Sequence, residues 1–278
     1  MNSRKITILG GSGYIGSALA TTFIALGYSV WTPKRDDSAI FSRELGLVYY
    51  CIGLTSDFRV KKYETINAHV GVLKKVLEKS NFNKIIYLSS TRVYEKSRLT
   101  DEDQPLLVNP NTPDDLYNIS KILGESLVLA SGKKNVIVRL SNVVGPDMGG
   151  ANFIGSLLEE ALRTRKLCFY TSKKSAKDYI WIDDVIKSLV KCENTLSNNI
   201  YNIASGFNVS NSELADIFSC LGVEVIFSPD VPTILFPIIN NKRFLSDAGY
   251  AQNYPLNKIK EWIFNEFQKN NMEKLNEQ

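Results

Sequence analysis

Tyr117 and Lys121 are the two residues whose types and spacing most directly indicate chemistry. They lie four positions apart in a stretch, 112–130, that has the apolar spacing of a helix, so they share one helical face. A free phenol has a pKa of about 10, and a nearby ammonium favours the phenolate, so Tyr117 beside Lys121 is a competent acid or base. Taken alone, the pair is equally compatible with an inert surface pair.

A glycine-rich turn near the start of the chain offers a place for a phosphorylated ligand. The apolar run 6–9 predicts a buried strand, and residues 15–26 follow with helical spacing. The pattern between them is G-x-x-G-x-x-G: the first glycine allows a tight turn, the second lets backbone approach a pyrophosphate, and the third lets helix and strand pack closely. The helix start then faces the phosphates with unpaired N–H groups. The residues of this predicted dinucleotide site are Gly10, Gly13, Tyr14, Ile15 and Gly16.

The end of the predicted second strand, 28–32, indicates which dinucleotide binds. In NAD-binding folds of this kind an acidic side chain near this point holds the ribose 2′-OH. Here Lys34 and Arg35 stand in its place, and two bases suit the extra 2′-phosphate of NADP. We therefore expect NADP(H) in preference to NAD(H), the alternative being two solvated loop charges.

The remaining pattern alternates strands with helices, which predicts an α/β fold of the Rossmann type: a parallel sheet with helices on both faces. Further strands are predicted at 47–52, 84–88, 135–140, 200–204 and 223–227, and further helices at 63–79, 153–165, from Asp183, from Ser210 and at 258–267. Only about a dozen residues separate the second strand from the third, which is too few for a crossover and another strand. One strand–helix unit is therefore shortened or missing.

This pattern divides the chain into regions. We expect residues 1–148 to form the dinucleotide-binding domain, with part of 177–204 returning to it, and residues 149–270 to form mainly a substrate-binding α+β lobe. The polar residues 271–278 are expected to be a frayed tail. Asp114 or Asp115 is expected to cap the helix of Tyr117, and Ser210 with Glu213 forms a capping box.

Composition narrows the class of protein. The 278 residues are 44% hydrophobic and 22% charged with a net charge of +4, which is ordinary for a globular enzyme and does not call for a nucleic acid. Four scattered cysteines, no signal-peptide pattern after Met1 and no apolar run of membrane-spanning length predict a cytoplasmic protein. The one histidine, His69, argues against a histidine metal site and a serine–histidine triad.

Several segments together resemble the extended short-chain dehydrogenases/reductases, and in particular the nucleotide-sugar epimerases, dehydratases and ketoreductases. The resemblance runs from about Lys5 to about Trp262. Its segments occur in the family's order: the glycine turn, an Asn67-x-x-x-Gly71 pattern, Ser89-Ser90-Thr91-Arg92-Val93-Tyr94, Tyr117-x-x-x-Lys121, Arg139-x-x-Asn142-x-x-Gly145-Pro146, 177–185 and 201–206.

The resemblance implies roles for individual residues. Ser90, Tyr117 and Lys121 would be catalytic, with Ser90 holding the substrate oxygen and Lys121 also holding the nicotinamide ribose. Further cofactor contacts would be Cys51, Gly53, Asn67, Ser89 and Val143. Substrate contacts would be Thr91, Asn142, Asn152 and Lys177, the last three matching positions associated with the diphosphate or nucleotide.

Departures from the family pattern narrow the reaction. The family's 4,6-dehydratases carry an acidic pair after the catalytic hydroxyl residue, and its 3,5-epimerising members carry a cysteine there, whereas this chain has Thr91 and Arg92. The short segment 35–47 removes the usual adenine contact, and the segment 227–230 lacks an arginine expected on the diphosphate.

We therefore expect NADPH-dependent reduction of a 4-keto nucleotide-activated 6-deoxysugar, with Tyr117 as general acid. A nucleotide-sugar 4-epimerase with bound NAD is the alternative, and a non-catalytic nucleotide-sensing protein is a third reading. The expected partner is a small nucleotide-sugar substrate, with no nucleic acid and no membrane. Helix pairs in such folds often dimerise, so a homodimer stays open.

Overall fold

A six-stranded parallel sheet forms the centre of the computed structural model, which describes residues 4–54, 57–148, 152–193 and 199–276. The spatial order is β2-β1-β3-β4-β5-β9. These strands are Lys5–Leu9 (β1), Ser29–Trp31 (β2), Leu47–Tyr50 (β3), Lys84–Ser90 (β4), Asn135–Leu140 (β5) and Asn199–Ile203 (β9). All neighbours in it run parallel, as expected for a Rossmann-type sheet.

The connection between β2 and β3 confirms that one strand–helix unit is missing. β3 pairs directly with β1, with Ile6 opposite Leu47. The described residues of the connection form only a short 3₁₀ helix, Ser38–Phe41. A parallel crossover normally needs a dozen or more residues with a helix, so this link brings β3 to the free edge of β1 with no strand beyond β2.

Helices cover both faces of the sheet. The helices of this region are Tyr14–Ala25 (α1), Lys62–Ile66 (α2), Val72–Lys79 (α3), Asp115–Ala130 (α4) and Ile182–Lys191 (α6). One core cluster joins Ile8 and Tyr49 of the strands to Phe23 of α1, and a second joins Leu9 and Tyr50 to α3 and α4. Neighbouring strand residues thus enter opposite clusters, because side chains alternate between the faces of a strand.

The second half of the chain builds two small sheets and the remaining helices. Its elements are Asn142–Val144 (β6), Phe153–Thr164 (α5), Lys166–Phe169 (β7), Ala176–Trp181 (β8), Asn208–Ser210 (β10), Asn211–Cys220 (α7), Glu224–Phe227 (β11), Lys242–Ala248 (α8) and Leu256–Asn276 (α9). The sheets have the orders β10-β8-β6 and β11-β7. Of this half, β9 pairs with β5, so the stretch around 199–203 returns to the main sheet.

Three local expectations differ from the structure. The predicted helix 63–79 is interrupted by a π turn, Asn67–Gly71. Asp114 occupies the N-cap position of α4, but its carboxylate makes no cap bond because it pairs with Arg59 instead, 2.5 Å away. α9 runs from Leu256 to Asn276, so most of the predicted frayed tail belongs to a helix. The short strands β6, β7 and β10 were not predicted.

The capping box of α7 is confirmed: the Ser210 hydroxyl accepts from the Glu213 N–H, and the Glu213 carboxylate accepts from the Ser210 N–H. In the part of the chain that the structure describes, no helix is both long enough and apolar enough to cross a bilayer.

Candidate functional site

The glycine turn lies at the carboxyl end of β1 and leads directly into α1. Gly10 has φ +87°, a conformation that other residues rarely adopt, and its carbonyl accepts the Gly13 N–H at 3.0 Å. A methyl group on Gly16 would lie 2.3 Å from the Gly10 carbonyl oxygen, so only glycine fits at this crossing. Gly13 is the N-cap and has no side chain to satisfy the first N–H groups of α1. The turn therefore presents backbone donors, which suits a phosphate.

The ends of two neighbouring strands meet this turn. A methyl group on Gly10 would touch the backbone of Cys51 after β3, and one on Gly11 would lie 2.6 Å from the Thr32 side chain after β2. Lys34 and Arg35 follow Thr32 and are both exposed. The nearby Asp37 carboxylate accepts the Ala39 N–H, so it caps the 3₁₀ helix. The first two exposed charges after β2 are therefore basic, as the sequence indicated, and the exposed Asp36 follows them.

Ser90 and Tyr117 come together at the same edge of the sheet. Ser90 is the last residue of β4, and its hydroxyl accepts the Arg92 N–H at 3.2 Å. Tyr117 lies in the first turn of α4 and is only 4% exposed. Burial raises the pKa of Tyr117, while the neighbouring Ser90 side chain and the positive charge of Arg92 act to lower it. The phenol is therefore protonated at neutral pH and lies beside a second hydroxyl.

Lys121 lies one turn further along α4 and points toward the end of β3. Its Nζ donates to the Leu88 carbonyl oxygen at 2.9 Å, and a methyl group on Gly53 would lie 3.5 Å from that Nζ. Burial lowers the pKa of Lys121 to about 8, and the negative charge of Glu125 acts in the opposite direction. Lys121 thus reaches the strand end next to the glycine turn, and the cation whose charge acts on the Tyr117 phenol is Arg92.

His69 belongs to this site although its type and spacing did not predict it. Its Nδ1 lies 2.8 Å from the Ser120 hydroxyl of α4, and its Nε2 accepts the Leu54 N–H at 3.4 Å. Burial, with the charge of Lys121, lowers its pKa to about 2, so the imidazole is neutral. His69 therefore fastens the loop after β3 to the helix that carries Tyr117. The sequence carried no signal for this role, and the π turn in which His69 lies is the structural one, since such turns recur at functional sites.

A buried ion pair stands behind the Ser90–Tyr117 edge. Arg139 of β5 donates to the Glu125 carboxylate of α4 through two nitrogens, at 3.0 and 2.6 Å. Ser89 donates to the same carboxylate at 2.5 Å. The hydroxyl of Ser89 is therefore turned into the protein, where it joins β4 to α4.

Three of the four predicted substrate residues lie on β6, on β8 and at the start of α5. The Asn142 amide donates to the Asp178 carbonyl oxygen at 2.7 Å, and Asn152 caps α5 while its amide donates to the Val143 carbonyl oxygen. Lys177 is half-buried beside the Phe153 ring, and burial lowers its pKa to about 8.

The remaining residues predicted to contact substrate or cofactor differ in how far they are buried. Thr91 is buried at the start of the 3₁₀ helix Thr91–Tyr94, and Asn67 is exposed, with its side-chain oxygen packed on Gly71. The Tyr14 side chain lies against Gly145, with its hydroxyl buried. Ile15 is half-buried at the start of α1.

A groove of about 840 Å³ extends from Ser12 and Tyr14 between α1 and α6 to the loop 146–148. Neither Ser90 nor Tyr117 lines it. We therefore assign the chemistry to the strand edge, where Ser90 lies beside Tyr117, and not to this groove.

Comparisons with known proteins identify the family and the fold. Residues 6–204 match the model of a family described as the NAD dependent epimerase/dehydratase family. A dTDP-D-glucose 4,6-dehydratase of Dictyostelium discoideum is 26% identical over 48% of this chain and 33% of its own length. The chain spans between 33% and 42% of the curated dehydratases that it matches.

Two other relatives match over nearly their whole length. Vestitone reductase of Medicago sativa is 24% identical, over 91% of this chain and 93% of its own. The solved structure of a UDP-glucuronic acid 4-epimerase from Bacillus cereus, in complex with UDP-glucuronic acid and NAD, superposes with a TM-score of 0.81. It is 20% identical, over 95% of this chain and 99% of that one, which shows a shared fold.

Proposed function

The chain belongs to the NAD dependent epimerase/dehydratase family and is an NAD(P)-dependent enzyme of the short-chain dehydrogenase type, and from that premise we propose that it reduces a 4-keto nucleotide-activated sugar with NADPH. The observation that carries the proposal is the position of the Ser90 side chain beside the buried phenol of Tyr117, at the sheet edge shared with the glycine turn. It supplies a proton donor and an orienting hydroxyl next to the dinucleotide site.

The residues at this edge fit a nicotinamide dinucleotide. The glycine turn offers backbone N–H groups for the pyrophosphate, and added methyl groups at Gly10 or Gly16 would collide with backbone. Lys121, beside Gly53, would hold the nicotinamide ribose. When bound, NADPH supplies the hydride for the ring carbonyl carbon.

Tyr117 would give its proton to the carbonyl oxygen as that oxygen becomes a hydroxyl. Burial raises the pKa of Tyr117, so the phenol carries its proton at neutral pH, and the neighbouring Ser90 side chain, which acts to lower that pKa, would stabilise the phenolate that is left. Ser90 would also orient the substrate oxygen. Water would then return the proton to Tyr117 after product leaves.

Two exposed bases support NADPH in preference to NADH. Lys34 and Arg35 follow β2 at the point where the ribose of a bound dinucleotide would lie, and a 2′-phosphate is the group that two bases complement.

The residues after Ser90 argue against dehydration. Elimination of water needs an acid and a base besides Tyr117, and the positions that carry carboxylates in dehydratases hold Thr91 and Arg92. Glu95 and Asp114, the two carboxylates next to Arg92, are both paired with its guanidinium. Reduction needs only the one proton donor.

The nucleotide diphosphate would meet β6 and β8 of the substrate lobe. Lys177 is the cation available there, and Asn142 and Asn152 lie on the same two strands and the adjoining helix. Thr91 would contact the sugar next to Ser90. The vestitone reductase match, which runs over nearly the whole chain, also favours a reductase.

The test measures NADPH consumption against a panel of 4-keto nucleotide sugars, with dTDP and UDP forms compared. We expect loss of the NADPH absorbance with at least one of these sugars, with one molecule of reduced sugar formed for each NADPH oxidised. Protein that binds NADPH but consumes none with any member would contradict the proposal.

The epimerase reaction is the second candidate, favoured by the family description and by the shared fold with the Bacillus cereus epimerase. Such an enzyme would oxidise and re-reduce the same carbon on a retained NAD. Purified protein that carries NAD and interconverts gluco and galacto sugars without added cofactor would replace the reductase proposal with this one.

A further inference from the structure

The ring of Tyr117 is enclosed by side chains from several elements, and their charges differ. Phe58, before α2, packs on it at a centroid distance of 5.1 Å, and His69 of the π turn meets it edge-on at 5.2 Å. Tyr87 of β4 faces it with a buried phenol. The Arg92 guanidinium lies over the ring at 5.9 Å.

Among these neighbours Arg92 is the cation directed at the ring. His69 is neutral at neutral pH because burial lowers its pKa to about 2, and burial raises the pKa of Tyr87, which keeps that phenol neutral. Lys121 donates its N–H to the Leu88 carbonyl oxygen. Burial lowers the pKa of Lys177 of β8, and the charge of Arg92 acts in the same direction.

Arg92 is held in this place from three segments. Its guanidinium pairs with Glu95 at 3.3 Å and with Asp114, next to α4, at 3.5 Å, and Arg59 holds Asp114 from the other side. It also lies over the Phe58 ring at 5.1 Å. Its own backbone N–H donates to the Ser90 hydroxyl. A side chain so anchored, 23% exposed, keeps a fixed distance from Tyr117.

We propose that Arg92 is a positioning residue of the reductase reaction, whose fixed positive charge across the Tyr117 ring favours ionisation of the phenol. This is the role that the resemblance assigned to Lys121. A cation over an aromatic face is attracted to the ring, and more strongly once the ring carries a negative charge. The inference rests on the proposed function, because it concerns the acid of that reaction.

Lys121 and Arg92 have different roles in this arrangement. Lys121 lies beside Gly53, on the cofactor side of the edge, while the Arg92 guanidinium lies over the Tyr117 ring. Glu95 and Asp114 cancel part of the Arg92 charge. We therefore expect its loss to raise the Tyr117 pKa by about one unit, a tenfold change in the phenolate fraction.

The test compares the variants R92Q and R92K with the parent protein, in the presence of NADP⁺. Tyrosines are replaced by 3-fluorotyrosine, whose fluorine lowers the phenol pKa into an accessible range, and the Tyr117 signal is assigned in ¹⁹F spectra by its absence in Y117F. R92Q should raise the Tyr117 midpoint by about one unit, and R92K should leave it within about 0.3 units. K121M should weaken NADPH binding and move the midpoint less than R92Q does.

A second neutral variant and two further measurements distinguish a lost charge from a lost fold. R92M repeats the neutral substitution with different packing, and thermal unfolding identifies a variant that has lost its fold. The pH profile of kcat should shift with the midpoint. An unchanged midpoint in folded R92Q and R92M, or a larger shift in K121M, would overturn the role of Arg92. If no ketosugar is reduced, the proposed function fails, while the spectra still decide on Arg92.

Discussion

The cofactor side and the acid side of the strand edge are held together in different ways. At the glycine turn, backbone meets backbone: Gly16 crosses the Gly10 carbonyl, and Cys51 donates its N–H to Leu9. Around Tyr117, side-chain charges do the holding, through Arg92, Asp114 and the buried Glu125–Arg139 pair. A site built of backbone is sensitive to added volume, whereas a site built of charges is sensitive to their removal.

The largest expected effect isolates the acid side. Y117F removes one hydroxyl and leaves the ring in its apolar enclosure. The variant should therefore fold, and its dissociation constant for NADPH should stay within about twofold of that of the parent. kcat should fall by a factor on the order of 10³, because general acid catalysis contributes about that much. Steady-state kinetics beside a direct NADPH titration measures both. Equal losses in kcat and in cofactor affinity would mean that Tyr117 holds the cofactor instead.

Removing one partner of the buried ion pair should damage stability on the same side. R139M leaves the Glu125 carboxylate buried and unpaired, which should cost about 3–5 kcal/mol of unfolding free energy. K166M is the matched control, since Lys166 pairs with Glu224 on the surface, and its unfolding curve should overlay that of the parent. Urea unfolding of both variants checks this. Similar curves for R139M and K166M would contradict the account of the acid side.

Added volume should damage the cofactor side. G16A places a methyl group 2.3 Å from the Gly10 carbonyl oxygen, so the turn must open, and we expect NADPH affinity to fall about 100-fold. G132N is the control, because Gly132 has open space around it and asparagine tolerates its positive φ. Fluorescence titration with NADPH compares the two. Retained affinity in G16A would show that the turn does not hold the pyrophosphate.

His69, which joins the loop after β3 to α4, should make the free energy of unfolding depend on pH. The pKa of His69 is lowered to about 2 in the folded state, so its contribution to stability is complete above its unfolded value near 6.5 and is lost as pH falls. Between pH 7 and pH 5 this loss is about 2 kcal/mol. H69Q should remove it.

Asp178 also makes stability depend on pH, but its contribution is the same in the parent and in H69Q, so it cancels in the comparison of the two proteins. Burial raises the pKa of Asp178 to about 6, so its stabilising contribution is present at low pH and is lost as pH rises through 6, opposite in sign to that of His69. The difference between the two unfolding curves therefore reports His69 alone. A difference that stays constant from pH 7 to pH 5 would mean that His69 is charged in the folded protein.

The smallest expected effect concerns the choice of dinucleotide. The double variant K34A/R35A removes the two exposed bases after β2, and NADPH affinity should fall about tenfold while NADH affinity stays the same. Isothermal titration with each dinucleotide measures the ratio. A parallel fall for both would place these bases outside the 2′-phosphate contact.

The backbone-built side was largely predictable from sequence. The strand, the three glycines and the helix that follows are neighbours along the chain, so their spacing alone specified the turn around Gly10. The missing unit between β2 and β3 followed from chain length, and the capping box at Ser210 from a four-residue pattern.

The charge-built side was less predictable because its partners are distant in sequence. Asp114 turns away from its expected cap toward Arg59, 55 positions earlier, and Lys121 reaches the carbonyl of Leu88, 33 positions earlier. The position of Arg92 over Tyr117 depends on both pairings around Asp114. Helical periodicity placed Tyr117 and Lys121 on one face, but it does not encode where a long flexible side chain ends.

The most direct measurement follows the transferred hydrogen. The enzyme is incubated with NADPH deuterated at the transferring C4 position and a 4-keto nucleotide sugar, and the product sugar is analysed by mass spectrometry and NMR. The account predicts one deuterium at the reduced carbon of the product and one equivalent of NADP⁺ formed. A product without deuterium, formed while NADPH is not consumed, would contradict it.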